Sequence, residues 1–242
     1  MAEVDAIARA FVELADTLVD DYDTLEFLEM LTARCGDLLG VSEAGVSLVD
    51  ERHGLSVLAS SSERMRVVEL IEVQRNDGPC MDAWRQGEPV RADRLDLMVD
   101  RWPVFVPAAL DAGFLSAYAV PMRLRSQRIG ALNLFADGPA ALSSAEMDLA
   151  QALADVATVG ILHERFLRES KALSAQLQIA LTSRITVEQA KGVLAEQSAL
   201  HVDDAFAAMR SYARATHQRL TDVAARVVAR SLSWSDIEPS SR

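Results

Sequence analysis

The sequence predicts an α+β protein: an antiparallel sheet flanked by helices, then a long linking helix and a C-terminal bundle of three short helices. Three observations lead there. β-prone runs arrive mostly in adjacent pairs joined by short polar turns, which favours hairpins over parallel crossovers. Apolar residues recur at helical spacing towards both ends of the chain. The charge also changes sign along it: of 36 acidic and 24 basic side chains in 242 residues, 29 acids and 15 bases lie up to Ser170, and 7 acids and 9 bases follow. Such asymmetry separates two modules and makes an anionic partner for the second worth considering. Between Ala205 and Arg230 the bases are Arg210, Arg214, Arg219, Arg226 and Arg230, and the acid is Asp222. The alternative is an arginine-rich solvated helix face.

Half of the residues are apolar, enough for one sizeable core and a smaller second one, which excludes a disordered tail or a collagen-like rod. No run of about 18 uncharged apolar residues occurs. The first thirty residues hold nine acids against Arg9. Neither a signal peptide nor a membrane span is therefore expected. Two cysteines, Cys35 and Cys80, are too few and too far apart for a disulfide framework or a zinc site, and point to a reducing, cytoplasmic setting.

Each element follows in order. Val4, Ile7, Ala8, Phe11, Leu14, Ala15 and Leu18 give an amphipathic helix from Val4 to Val19, within an N-terminal segment 1–22. Asp23 or Thr24 caps a second helix that carries Leu25, Phe27, Leu28 and Leu31 and stops near Gly36 or Gly40. Gly45–Val49 and Leu55–Ser60 form a hairpin about Asp50–Gly54. A helix over Glu63–Val73 breaks at Asn76-Asp77-Gly78-Pro79, and a short one follows from Cys80 to Gln86. Gly87-Glu88-Pro89 form a turn and Glu88–Ala92 a short strand, followed by loop and helix over Arg101–Ala112. Ser116–Met122 and Ile129–Phe135 are strands joined by a polar turn, Arg123–Arg128.

Ser143 or Ser144 then caps the linking helix, 143–183, with an apolar seam at Leu149, Leu153, Val156, Val159, Leu162, Phe166, Leu173, Leu177 and Leu181. Its first half suits packing on the sheet and its second half pairing with a second copy of itself, giving a homodimer. A break at Arg184-Ile185 makes Thr186 an N-cap with Gln189 three residues on, starting a helix to about Ala199. Asp203 or Asp204 starts another, ending near Thr216, and Thr221 starts the third.

Catalytic groups are thin. The four histidines never fall at i and i+4, and His163-Glu164 lacks the second ligand of a zincin because Leu167 stands there. Lys191-Gly192 lacks the glycine-rich run of a phosphate-cradling loop. No enzyme, metal or identifiable cofactor is expected. Cys80, at a helix N-terminus, is open to activation but reads as structural. Cys80, Trp84, Trp102 and Phe105 are candidates for a ligand pocket, with plain core as the alternative.

Residues Arg184 to Leu194 (RITVEQAKGVL), Ala205-Phe206, Met209-Arg210, Tyr212-Ala213-Arg214, and Leu220, Val223 and Ala224 resemble the ANTAR domain, an RNA-binding module of bacterial antitermination regulators. The departure is Ala195-Glu196-Gln197, where that family usually has a Met and a charged residue. Upstream, Gly78-Pro79-Cys80, the stretch Ala83 to Val90 (AWRQGEPV), Arg101-Trp102-Pro103, Ser116 to Pro121, and Ile129 to Leu134 (IGALNL) resemble a GAF domain of the kind paired with ANTAR in actinobacteria. The resemblance places a GAF sensory domain at 23–167, an ANTAR domain at 177–232 and a flexible tail at 233–242.

It implies a cytoplasmic regulator that binds structured hairpin RNA under control of a signal sensed by the GAF domain, whose small-molecule ligand the sequence leaves open. Arg184, Lys191, Gly192, Arg210, Arg214 and Arg219 are the expected RNA contacts, the arginines through phosphates and stacking and Gly192 through close approach. The other readings are a sensory dimer whose C-terminal helices mediate protein contacts, and a DNA-binding helix pair. The turn His217–Leu220 lacks the glycine usual in the latter.

Overall fold

The computed structural model describes residues 2–17, 23–50, 54–138 and 142–237. Leu18 and Val19 of the first expected helix, hairpin positions 51–53 and the tail from 238 lie outside them. The chain divides into two compact units, Met1–Phe166 and Leu167–Arg242.

In the first unit, α1 (Ala2–Thr17) and α2 (Thr24–Leu39) are joined across their surfaces by Arg34 and Glu13 at 2.7 Å. Asp23 accepts the Leu25 amide at 2.7 Å, and Gly40 ends α2 in the left-handed region at φ 63. Strands β1 (Glu43–Asp50), β2 (Gly54–Ser60), β3 (Val90–Ala92), β4 (Ser116–Leu124) and β5 (Gln127–Ala136) form one antiparallel sheet in the order β2-β1-β5-β4-β3. The β4–β5 turn is tighter than the sequence suggests. Arg123 pairs with Arg128 and Leu124 with Gln127, so Arg125-Ser126 alone connect the strands, with Arg125 at φ 56. A two-residue hairpin needs a positive φ to match the strand twist, and here a non-glycine supplies it.

Alternation of period two sends Tyr118, Val120, Leu132 and Leu134 into one core and Ala117, Ala119 and Phe135 into another. The first core holds Phe27, Leu28 and Leu31 of α2 and, from α6 (Ser144–Ser198), Leu153, Ala154, Ala157 and Ile161. The second holds Met65 and Val68 of α3 (Glu63–Arg75), Ala83 of α4 (Pro79–Gln86), and Phe105, Val106 and Ala109 of α5 (Phe105–Asp111). Helices cover both faces, which is why β4 and β5 are nearly continuous runs of buried residues.

Helix α6 opens with a reciprocal box: the Ser143 hydroxyl accepts the Glu146 amide at 3.2 Å, and the Glu146 carboxylate accepts the Ser143 amide at 2.6 Å. The expected break at Arg184-Ile185 is absent, and α6 runs unbroken to Ser198. Thr186 is no N-cap, because its hydroxyl donates to the Thr182 carbonyl at 2.9 Å, four residues back. Between Leu181 and Ala190 there is neither glycine nor proline, so no residue there forces the ladder to stop.

The second unit packs the end of α6 against α7 (Val202–Ala215), α8 (Leu220–Val228) and a short α9 (Trp234–Ile237). Its core is Ala190, Leu194, Ala205, Met209, Ala213, Val223, Ala224, Val227, Leu232 and Ile237. His201, not Asp203 or Asp204, caps α7, and both acids occupy its first turn, where the helix dipole favours them. Arg219 is the N-cap residue of α8, without a side-chain cap bond, so the helix starts at Leu220 rather than with Thr221 as expected. The region read as tail from 233 contains α9, with Ile237 buried and Ser233 bonded to Asp236 at 2.7 Å. The divergent Gln197 accepts the Trp234 amide at 2.9 Å and so fastens α9.

The unbroken α6 makes a sharp prediction. Glu188→Pro falls in a tolerant first turn if a helix starts at Thr186, but inside a continuous ladder it should cost about 3 kcal/mol relative to Glu188→Ala. Denaturant melts followed by far-ultraviolet circular dichroism measure the difference.

Candidate nucleic-acid interface and a buried acidic cluster

Arg184 and Lys191 are seven residues apart on α6, two turns, and therefore share a stripe. The Lys191 ammonium lies 5.2 Å from the centre of the Phe206 ring on α7, and the Arg210 guanidinium carbon lies 5.7 Å from the same centre. One aromatic ring thus brings together cations from two helices. Lys191 also pairs with Glu188 at 3.0 Å. Gly192 is exposed, and nothing lies within 4 Å of where a Cβ would stand, so the helix surface beside Lys191 is open. Arg214 follows Arg210 by one turn on the same exposed face of α7. Among the described residues Arg184, Arg210, Arg214 and Arg219 form no ion pair. Arg219 is exposed, and no described contact joins it to the other five. His217 takes φ 54, the left-handed conformation that a turn glycine would supply, so the missing glycine does not separate RNA from DNA readings.

The first unit hides its charge. Glu69 and Glu72, on α3, are fully buried. Glu69 accepts from the Ser60 hydroxyl on β2 and from the Asn133 amide nitrogen on β5 at 2.7 Å. Glu72 accepts the backbone amide of Cys80 at 2.5 Å. Burial lifts the Glu69 carboxyl to about 7, against the pull of its two hydrogen bonds. Burial also drives Glu72 well above the carboxylate range, opposed by the Cys80 amide and reinforced by the neighbouring Glu69. The sequence carried a signal for this pair that motif reading passed over: positions 65, 68, 69 and 72 form the inward stripe of α3, and two of them are acids.

The chain matches the GAF domain family over residues 22–161, more than half its length. The chain belongs to the GAF family. It also matches the ANTAR domain over residues 175–228. Solved structures agree on the fold. The GAF domain of a phosphoenolpyruvate-protein phosphotransferase from Coxiella burnetii is 14% identical, with a TM-score of 0.55, covering 69% of this chain and 96% of that one. The corresponding domain from Acinetobacter is 18% identical, at 0.54, covering 68% and 95%. The free methionine-R-sulfoxide reductase of Neisseria meningitidis, solved with its substrate, is 18% identical, at 0.53, covering 68% and 91%. No curated protein matches the chain. GAF domains are signal-sensing modules and ANTAR domains mark RNA-binding antitermination regulators.

Within the GAF unit the four ligand-pocket candidates separate. Trp102 and Phe105 meet edge to face at 6.0 Å in the core beneath α5, and Cys80 packs with Leu55, Met81 and Ala131, with Trp84 partly buried beside them. Trp102 donates its indole N–H to Asp82 at 3.1 Å. The Cys80 thiol, despite its place at the start of α4, is pushed up by burial first and then by Glu72 and Glu69. A helix N-terminus lowers a thiol only where the thiolate is solvated or paired, and here carboxyls face it. No helix among the described residues is long and apolar enough to cross a membrane.

Two predictions follow from the buried groups. A carboxyl whose folded value exceeds its ordinary value of 4.5 contributes stability that is fully present below that value and lost as pH rises through about 7. Stability of the GAF unit should therefore fall across that window, by on the order of 3 kcal/mol for Glu69, and Glu69→Gln should flatten the slope in melts taken at stepped pH. The Cys80 thiol should resist iodoacetamide and peroxide in the folded chain and react once denaturant is added, as read by mass spectrometry.

Proposed function

We propose that this protein is a cytoplasmic, non-enzymatic regulator whose ANTAR bundle binds structured hairpin RNA under control of a signal received by the GAF domain. One observation carries the RNA assignment: Lys191 and Arg210 converge on Phe206 beside the bare surface of Gly192. Phosphates meet the cations, and Gly192 admits a backbone or base closer than any other residue would allow. Arg184, two turns before Lys191 on α6, and Arg214, one turn after Arg210 on α7, extend the positive surface, where like charges repel until an anion relieves them, and Arg219 adds a cation at the start of α8. Guanidinium planes also stack on unpaired loop bases, which a hairpin offers and a continuous duplex does not.

The second half of the α6 seam supports a homodimer. Phe166, Leu173, Leu177 and Leu181 are each more than half exposed, whereas Leu153, Ala157 and Ile161 earlier on the helix are buried. A stripe of large apolar groups on one helix face is covered in solution by a matching stripe, and a second copy supplies one. Sedimentation at micromolar concentration should give twice the chain mass, and Leu173→Glu with Leu177→Glu should give the monomer.

For the RNA site, Lys191→Ala and Arg214→Ala should each weaken binding to a hairpin RNA by on the order of 1 kcal/mol or more, leave the melt nearly unchanged and flatten the salt dependence. Gly192→Ala separates contact from folding. Its methyl meets no atom, so the helix should gain up to about 1 kcal/mol while RNA affinity falls. Fluorescence anisotropy with labelled hairpin measures the affinities and denaturant melts the stability, and unchanged affinity in the Lys191→Ala, Arg214→Ala double variant would favour protein contacts instead.

A further inference from the structure

We propose that a second copy of the chain completes the RNA site: α6 pairs with its counterpart in parallel through Leu173, Leu177 and Ala180, the pair forks at Arg184, and the fork holds one RNA between the basic stripes of both copies. This rests on the readings of the bundle as RNA-binding and of the α6 seam as a dimer contact, and it names how the two are joined.

The apolar seam and the basic stripe are one face of α6. Val159, Phe166, Leu173, Ala180 and Val187 follow one another at intervals of seven, and so do Leu177, Arg184 and Lys191. From Leu173 onwards the two rows alternate at spacings of four and three, the pattern of a and d positions in a coiled coil. A seven-residue repeat stays on the seam of two supercoiled helices, so a partner that covers Leu177 meets Arg184 and then Lys191 further along. The chemistry changes from leucine to cation while the direction in which it points does not.

What each arrangement brings together decides the direction of pairing. An antiparallel pair that sets Leu173 against Leu177 of the second copy also sets Arg184 against Phe166 and Lys191 against Val159, two apolar groups each more than half exposed. A parallel pair sets Phe166, Leu173 and Leu177 each against its own counterpart, so apolar surface covers apolar surface. Pairing then ends at Arg184 for two reasons. Further zipping would desolvate like charges against each other at the axis. Val187, the next seam position, is already partly buried against the bundle core of its own chain.

The fork gathers cations from both copies. Arg184 stands about 10 Å along the helix from Leu177, so the two helices have scarcely separated where their arginines face each other. Lys191 follows two turns later, and the Phe206 ring brings Arg210 of α7 beside it. Glu188, one turn from Arg184, is spent on Lys191 at 3.0 Å. Three cations against one acid leave two net positive charges per copy, and these repel their counterparts across the fork. One copy presents a convex helix surface, whereas two make a cleft with cations on both walls, which focuses the potential that attracts a phosphate backbone. RNA seated there offsets the repulsion between the copies, and the leucines below set the spacing of the walls. Dimerisation and RNA binding are therefore linked, each strengthening the other by the same factor.

The test uses the full chain and one labelled hairpin RNA, followed by analytical ultracentrifugation over a range of chain concentrations with and without RNA. We expect one RNA per two chains at saturation, and a dimer dissociation constant lowered by about tenfold or more when RNA is present, matched by an equal gain in RNA affinity of dimer over monomer. Leu173→Ala with Leu177→Ala, a neutral pair chosen because added acids would repel RNA by themselves, is expected to weaken dimerisation and with it RNA affinity, by about tenfold or more, although neither position carries a cation. Arg184→Leu is expected to move the two equilibria in opposite directions: the dimer tightens severalfold as the leucine row extends, and RNA affinity falls. Two RNAs per pair of chains, a dimer constant indifferent to RNA, or an Ala pair that dissociates the dimer without losing RNA affinity would overturn the proposal and leave RNA binding by each chain in place. Failure of the unaltered chain to bind the hairpin at any concentration would overturn the RNA reading and the shared site with it.

Discussion

Strand β5 lies at the centre of the sheet with helices over both faces, and whatever polar group it carries inward has to be answered inside the protein. Its apolar positions pose no difficulty: Leu132 and Leu134 join the core under α2 and α6, and Phe135 joins the aromatic core under α5. Asn133 is different. Facing α3 from the middle of the sheet, it meets Glu69, and that carboxyl in turn requires Ser60 from β2 and the missing Cβ of Gly45. One polar residue on a doubly buried strand thus fixes the chemistry of four elements.

The same constraint explains what was legible in the sequence. Helices, strands and most caps answer to local rules, and Asp23, Gly40, Pro79 and Ser143 mark their boundaries by conformations and side-chain bonds that any reader of turns recognises. The basic face of the bundle was legible because exposed arginines at i and i+4 need no knowledge of tertiary contacts. Glu69 and Glu72 escaped because an acid in a helix is ordinarily read as solvated, and only the apolar company of Met65 and Val68 on the same stripe argues otherwise. The role of Phe206 as a meeting point for Lys191 and Arg210 depends on how α6 and α7 cross, which a linear pattern does not contain.

The boundary at Arg184-Ile185 shows the opposite failure, in which a local rule spoke and tertiary structure overruled it. Thr followed three residues later by Gln has the form of a capping box, but capping competes with helix continuation. With no glycine or proline to stop the ladder, Thr186 turned its hydroxyl back to Thr182, and the ladder continued into the bundle core through Ala190 and Leu194. The α9 turn is the mirror case: Ser233 and Asp236 had the spacing of a cap, yet too few apolar residues surround them to look like a helix.

The two units keep unmatched charge in opposite media, and this decides what each can respond to. On the bundle the arginines stand in water, where repulsion between them is weak and salt screens it further, so their energy is released only when a polyanion displaces the counterions. Solution pH hardly touches them, since a guanidinium stays charged across the physiological range. In the GAF interior the acids are shielded from salt but not from protons, because in a low dielectric the cheapest way to remove a charge is to neutralise it. The buried acids of the GAF core therefore respond to pH, and the exposed arginines of the bundle to ionic strength. Division of labour between the two domains follows from the solvent around each set of charges as much as from the folds that hold them.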